Sequence, residues 1–208
     1  AVIADDQVGV GSYSFLNIPQ KKLLENILTE VSKESHPDGS IEQMVGDFYA
    51  SGMDTESIDK RGFSPLQPTL NKIDAITTIS SLMAFVTSEL SSGNGSLIGM
   101  YVSPDNENSS INMLHFGQAG IGLPDRDYYF KSDEATVVIQ DAYKKYLTTL
   151  FNLTKDKNAK QNAELVYSIE KKLAASHKTR IERRNIKENY NKMSVVEMNK
   201  SQPNIGWS

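Results

Sequence analysis

The chain has 208 residues, 38% hydrophobic and 23% charged, with a formal net charge of −4, a pI near 5.5 and a mean hydropathy of −0.42. That length buries a real core as one large domain or two small ones, and the composition belongs to a globular rather than a disordered protein. With no cysteine and only His36, His115 and His177, it excludes a disulfide scaffold, a thiolate zinc site and a cysteine nucleophile, and leaves any metal site dependent on carboxylates.

Residues Ala1 to Gly11 lack the charged-then-apolar layout of a signal peptide, and the missing initial methionine fits a mature, trimmed or excised chain. No run approaches the roughly 18 apolar residues of a transmembrane helix. Helical spacing then dominates. Pro19, a good first-turn residue, opens a predicted helix with Leu23, Leu24, Ile27, Leu28 and Val31 on one face, ending near Ser35 before His36-Pro37-Asp38-Gly39. Ser40 with Gln43 reads as a capping box ahead of Ile41, Met44, Val45, Phe48 and Tyr49. Gly52 stops that helix, Asp54 caps a short one, and Gly62 closes it. Pro65 and Pro68 punctuate the entry to a helical stretch through Leu70, Ile73, Ile76, Leu82, Phe85, Val86 and Leu90.

After the loop Ser91–Gly95, two strand-like runs, Leu97 to Val102 and Ile111 to Phe116, flank the turn-rich Pro104–Asn108 and predict a β-hairpin. Asp133 or Glu134 opens a helix with Val138, Ala142, Tyr146, Leu147 and Leu150 on its apolar face. A longer helix is expected from about Lys157 to Arg184, with Ala163, Val166, Ile169, Leu173 and Ala174 inward. Ser194 with Glu197 makes another capping box, and Pro203 halts the last helix. The class is mainly α, a helical lobe with one small β-hairpin.

Candidate chemistry is sparse. Zinc-protease helices place two histidines at i and i+4 so that both nitrogens reach one ion, and none of the three histidines has such a partner. There is no G-x-S-x-G elbow, and Gly120-Ile121-Gly122 lacks the third glycine of a dinucleotide loop, which leaves a tight turn into Leu123-Pro124. From Lys171 to Lys192, eight Lys or Arg residues face only Glu182 and Glu188, a net +6 against −10 for the remainder. Without interleaved aromatics and with an acidic pI, this strip argues for no nucleic-acid partner; it suits peptide carboxylates or pairing with the acidic remainder. In Leu123-Pro124-Asp125-Arg126-Asp127-Tyr128-Tyr129, an Arg between two Asp invites ion pairs and holds both carboxyls ionised, so a structural clamp is expected.

Several motifs occur in a fixed order. They are Ile3 with Gly11-Ser12-Tyr13, then Gly46–Asp54 with Arg61-Gly62 and Pro65-Leu66, then Tyr101–Asp105 with Asn108-Ser109. Gln118 to Tyr129, Leu173-Ala174, Arg183-Arg184, Tyr190–Met193 and Pro203 to Trp207 follow. Together they resemble the N-terminal region of neprilysin-type zinc metallopeptidases, specifically bacterial oligopeptidase O-like endopeptidases.

The resemblance implies a largely helical fold of two lobes around an enclosed chamber. The family's His-Glu-x-x-His helix, its third Glu ligand and its Asn-Ala strand lie C-terminal to the matched region, and none is present in these residues. Residues 1–208 are thus expected to be a non-catalytic helical N-terminal lobe, inactive alone. Zinc belongs to the parent and not to this chain. The expected partners are the C-terminal catalytic lobe and an oligopeptide substrate, and the isolated lobe is expected to self-associate through uncovered apolar surface. No catalytic or metal residue is expected here. Lys171, Lys178, Arg180, Arg183, Arg184 and Lys187 form the candidate substrate-steering strip. Asp105, Asn108, Leu123, Pro124, Arg126, Asp127, Tyr128 and Tyr129 form a structural family motif. Gly9 and Ser14 stand where vertebrate members grip a terminal carboxylate with Arg and Asp, so that grip does not carry over. Glu107 and Asn185 also depart from the family's Lys and Asp. The lack of cysteine points to a bacterial relative, with periplasm or cell envelope ahead of cytoplasm. The alternative is a stand-alone helical interaction module.

Overall fold

A computed structural model describes residues 11–93 and 97–207, so Ile3, Gly9 and the Asn94-Gly95 part of the predicted loop lie outside the described residues. The chain divides into two compact units, Ala1–Pro65 and Leu66–Ser208.

The first unit holds α1 (Ser12–Val31), α2 (Ile41–Met53) and α3 (Thr55–Arg61). Helix α1 begins at Ser12 rather than at Pro19, which sits inside it. Pro19 removes only the bond its own N–H would make to the carbonyl four residues back, and the turns on either side keep theirs. Ser40 Oγ accepts the Gln43 N–H at 3.1 Å as the capping box predicts, but Gln43 Oε1 accepts from the N–H of Gly39 at 2.6 Å rather than from that of Ser40. Asp54 caps α3 through the Ser57 N–H, and Gly62 closes it at φ +52°. Helices α1 and α2 meet at Gly46, where a Cβ would stand 2.8 Å from the Val31 carbonyl oxygen. Gly46 is the single buried residue among those described in this unit, and Phe48 is 82% exposed.

The second unit contains α4 (Gln67–Asp74), α5 (Ile79–Ser91), β1 (Ile98–Pro104), β2 (Asn112–Gln118), α6 (Asp127–Phe130), α7 (Glu134–Leu153), α8 (Ala159–Ser176), α9 (Ile186–Asn189) and α10 (Val195–Ser201). The single stretch expected from Pro68 to Leu90 is two helices, because Thr78 and Ser81 form a capping box that restarts the chain as α5. The antiparallel hairpin pairs Ile98 with Gln118 through to Pro104 with Asn112, slightly longer than the two predicted strands and the only sheet among the described residues. The long helix expected to reach Arg184 stops at Ser176. The Thr179 N–H donates to Glu182 Oε2 at 2.7 Å and the Glu182 N–H donates to Thr179 Oγ1 at 3.2 Å, a reciprocal cap that starts a separate 3-10 turn at Glu182–Arg184.

The core joins Leu123 and Tyr129 to Leu147 of α7 and to Ala163, Tyr167 and Ala174 of α8, with Tyr143 and Phe151 packed against it. Val138, Tyr146, Leu150 and Ile169, expected inward, are exposed; Val138 is 63% open. Helix α7 is apolar on two stripes, and the one turned to the core holds the buried Leu147 with the partly buried Tyr143 and Phe151, packed with Ala163, Tyr167 and Ala174 of α8. Asp133 caps α7 and the Ser194–Glu197 box caps α10, as predicted. No helix among the described residues is long and apolar enough to cross a membrane.

Candidate functional site

The segment Leu123–Phe130 is held by a carboxylate clamp. The buried Tyr129, 1% exposed, accepts the Leu123 N–H at 3.0 Å and donates its hydroxyl to Glu170 Oε2 at 2.8 Å. Tyr143 donates to the other oxygen, Glu170 Oε1, at 2.9 Å. Burial, reinforced by Glu170, pushes the hydroxyls of both tyrosines well above their usual titration range. Gly122 packs so tightly here that a Cβ would collide with the Tyr143 hydroxyl, and Gly120 takes φ +80°. The Gly120-Ile121-Gly122 turn thus serves packing.

Within the predicted clamp, the ion pairs differ from those the sequence suggested. Asp125 pairs with Arg180 Nε at 2.7 Å and caps the Asp127 N–H at 2.9 Å. Arg126 lies 3.9 Å from Asp127, reaches the Ala174 carbonyl at 3.4 Å and sits 5.4 Å from the Phe130 ring centre. Asp127 also faces Lys131 at 3.7 Å. Arg126 is directed at the end of α8, which leaves Asp125 free for the loop beyond. The Tyr128 carbonyl accepts from Gln140 at 2.8 Å, tying α6 to α7. Pro124 follows the buried Leu123 in the turn between the hairpin and α6.

Asp105, 3% exposed, is a second centre. Its Oδ1 accepts the Glu107 N–H at 3.0 Å and the Tyr190 hydroxyl at 2.8 Å, and its Oδ2 accepts from Lys192 Nζ at 2.9 Å. The Glu107 amide and the Lys192 ammonium hold this carboxyl down at about 2, with a smaller contribution from Tyr190 and against the opposing effect of burial. Asn108 shapes the same turn by accepting the Ser110 N–H at 3.2 Å. Beside the carboxylate lies a cleft of about 390 Å³ lined by Met113, Phe116, Asn191, Met193 and Trp207 among others. His115 stacks on Tyr101 at 5.2 Å, and Trp207 meets Phe116 edge-on at 5.4 Å.

The basic strip does not form one helix face. Lys171 lies on α8 above Phe130, Arg180 is bound to Asp125, and Lys192 to Asp105. Lys178 bonds Asn189 at 2.6 Å, and its backbone N–H and C=O are both held by the side-chain amide of Gln118. Arg183 and Arg184 stand in the 3-10 turn and Lys187 in α9, all exposed. His177 sits where α8 ends; burial pulls its pKa below the usual value, with Arg183 and Arg126 adding to the effect and the Ala119 backbone opposing it. Its Nδ1, His115 Nε2 and Trp207 Nε1 are buried without a hydrogen-bond partner.

Glu170, Tyr143, Tyr190 and Gln118 escape sequence reasoning as partners. Tyr190 and Lys192 stand inside a quoted motif, but nothing in sequence ties them to a carboxylate 85 and 87 residues earlier. For Glu170, the available signal is its helical spacing from Ala163, Tyr167 and Ala174, which places it on the buried stripe of α8. Among the described residues, no group of three or more His, Asp or Glu converges on a point that would hold a metal ion, so the residues present do not fit a zinc centre. The carboxylates join segments to one another.

These features define a helical scaffold in which carboxylates far apart in sequence fasten turns and helices. The N-terminal model of peptidase family M13 matches residues 1–208. The chain belongs to this family, the neprilysin-type zinc metallopeptidases. It is 23% identical to rat endothelin-converting enzyme-like 1 over 220 residues, covering 99% of this chain and 28% of that protein. It is 27% identical to endothelin-converting enzyme 1 of Cavia porcellus over 198 residues, covering 90% of this chain and 25% of that one. The inhibitor complex of Mycobacterium tuberculosis zinc metalloprotease Zmp1 superposes with a TM-score of 0.81 at 28% identity, over 96% of this chain and 31% of that one. PepO from Lactobacillus rhamnosis shares the fold, with a TM-score of 0.75 at 17% identity. The chain thus spans less than a third of the length of these two enzymes and of Zmp1.

Proposed function

We propose that residues 1–208 form the non-catalytic N-terminal lobe of a zinc-dependent metalloendopeptidase that hydrolyses oligopeptides. The observation that carries this reading is the family match over the whole chain, set against a sequence with no His-Glu-x-x-His. In this reading further polypeptide supplies the zinc ligands and the chemistry. The present chain walls the chamber and limits which peptides enter. The Asp105 and Glu170 centres suit that role, because a wall that sorts substrates by size must keep its turns and helices in fixed register.

Reading the coding sequence beyond Ser208 and assaying the purified chain together test this. A His-Glu-x-x-His in the following polypeptide is expected, with no peptide hydrolysis and no stoichiometric zinc in the chain alone. One tight zinc per chain, or turnover by the chain itself, overturns the reading.

The basic strip gives the lobe a means of selection. With Arg180 and Lys192 paired with aspartates, Arg183, Arg184 and Lys187 are among the strip's exposed cations that steer acidic peptides. Changing these three to Gln in the parent enzyme is expected to lower the ratio of kcat/KM for acidic over basic peptides by roughly 3- to 10-fold at low salt. An unchanged ratio sinks the steering role.

A further inference from the structure

The first unit buries only Gly46 among its described residues. Its apolar residues instead line a groove of about 680 Å³ formed by Leu28 of α1 and Met44, Val45, Phe48, Tyr49 and Met53 of α2.

We infer that this groove is the seat of an apolar helix face bordered by Lys or Arg, contributed by the parent polypeptide outside residues 1–208. The inference rests on the reading of this chain as one lobe of a longer M13 peptidase and names the surface by which that lobe is held. Three observations select the occupant. The relatives that match are more than three times this chain's length, so they hold further polypeptide beyond the matched region. The groove lies between two helices whose backbone groups are already bonded, so it offers side-chain pockets and no strand edge. The first unit carries 11 Asp or Glu against five Lys or Arg, a net −6, so two copies meeting through this face repel while a basic-flanked helix is attracted. The mixture of Met and aromatic side chains gives the groove a deformable apolar floor.

The two methionines of the groove, 57% and 60% exposed at Met44 and Met53, report on it directly. Their rates of oxidation by dilute peroxide, followed by peptide mass spectrometry, are compared in the chain and in the full-length parent, with zinc content and peptidase activity recorded on the same parent sample. The expected result is oxidation slowed at least about tenfold at both positions in the parent. Equal rates in the two proteins overturn the inference, even with an active zinc-loaded parent. Slow oxidation in an inactive, zinc-free parent retains the docking surface and defeats the peptidase reading instead. Protection in the chain alone that grows with concentration names a second copy as occupant, and protection independent of concentration names the chain itself; either overturns the inference. A stop codon directly after Ser208 removes the occupant and overturns it as well.

Discussion

Lys192 Nζ lies 2.9 Å from Asp105 Oδ2 and joins the turn of the hairpin to a segment 87 residues further along the chain. The carboxylate is almost completely buried, and its two oxygens also serve the Glu107 amide and the Tyr190 hydroxyl. Asp105→Asn turns an acceptor into an NH₂ that faces the Lys192 ammonium or the other donors. We expect the melting temperature to fall by about 2–8 °C at pH 7, and Lys192→Met to cost less because the remaining bonds to Asp105 survive. The sign with pH follows from a folded carboxyl held at about 2, below its ordinary 3.8. Its contribution is complete above that ordinary value and is lost as pH falls toward 2. Melting curves of the two proteins should therefore converge between pH 4 and about 2; a constant gap across that window contradicts this account.

The Glu170 clamp makes a second prediction. Tyr129→Phe strands the Leu123 N–H and one oxygen of Glu170 in a buried site, at a cost of about 1–3 kcal/mol. Tyr143→Phe removes one bond, at a cost of about 0.5–1.5 kcal/mol. Urea unfolding followed by the single tryptophan, Trp207, which lies in the same unit, measures both. Combining Tyr129→Phe with Glu170→Gln should reveal a coupling of about 0.5–3 kcal/mol. Additive effects mean that the hydroxyl and the carboxylate act separately. Both tyrosines titrate above the ordinary value of 10.0 when folded, so their stabilisation is present below that pH and is lost as pH rises beyond it. The last tyrosinate absorbance should thus appear together with unfolding.

The caps and the hairpin were legible in the sequence because each is decided within a few residues. Asp54, Asp133 and the Ser194–Glu197 pair sit where their side chains meet the N–H groups they cap. The end of α8 was missed although its signal, Thr179 three residues before Glu182, is equally local; the run of helix-compatible Lys and Arg masked it. Periodicity misread the inner face of α7 for a different reason. Val138, Tyr146 and Leu150 repeat as regularly as the core-facing Tyr143, Leu147 and Phe151, and only tertiary packing chooses between two apolar stripes. The partners of Asp105 and Asp125 were out of reach because ion pairing between residues tens of positions apart leaves no local pattern. Within Leu123 to Tyr129, Arg126 lies 3.9 Å from Asp127, whereas Asp125 is held by Arg180 at 2.7 Å rather than by its neighbour in sequence.

His177 predicts a loss of stability in mild acid. It lies at the seam where α8 ends and the Gln118 side chain holds Lys178, and its Nδ1 is buried without a partner. Burial, then Arg183 and Arg126, disfavour the imidazolium, so the folded protein takes up its proton below the ordinary value of 6.5. Above that value the group exerts no penalty; as pH falls below it, the unfolded chain binds the proton more readily and stability declines. Thermal melts between pH 7 and 5 should show a decline that His177→Gln reduces, and the imidazole resonance should titrate below 6.5 in NMR spectra. A resonance titrating at or above that value removes the basis for the effect.

Gly46→Ala separates packing from helix propensity within α2. In an exposed helix interior, alanine is favoured over glycine by about 1 kcal/mol. At Gly46, however, the new Cβ would meet the Val31 carbonyl oxygen at 2.8 Å, and that atom belongs to the backbone of α1 and cannot rotate away. The helices must separate, and a net destabilisation of the first unit by about 1–3 kcal/mol is expected. Gly52 supplies the internal control, since it lies in the same helix and a Cβ there meets nothing within 4 Å. Gly52→Ala should leave stability unchanged or raise it by up to about 1 kcal/mol. Circular dichroism melts of the two variants decide the matter: opposite signs place the α1–α2 contact at Gly46, whereas a shared stabilisation means that the close approach does not constrain the unit.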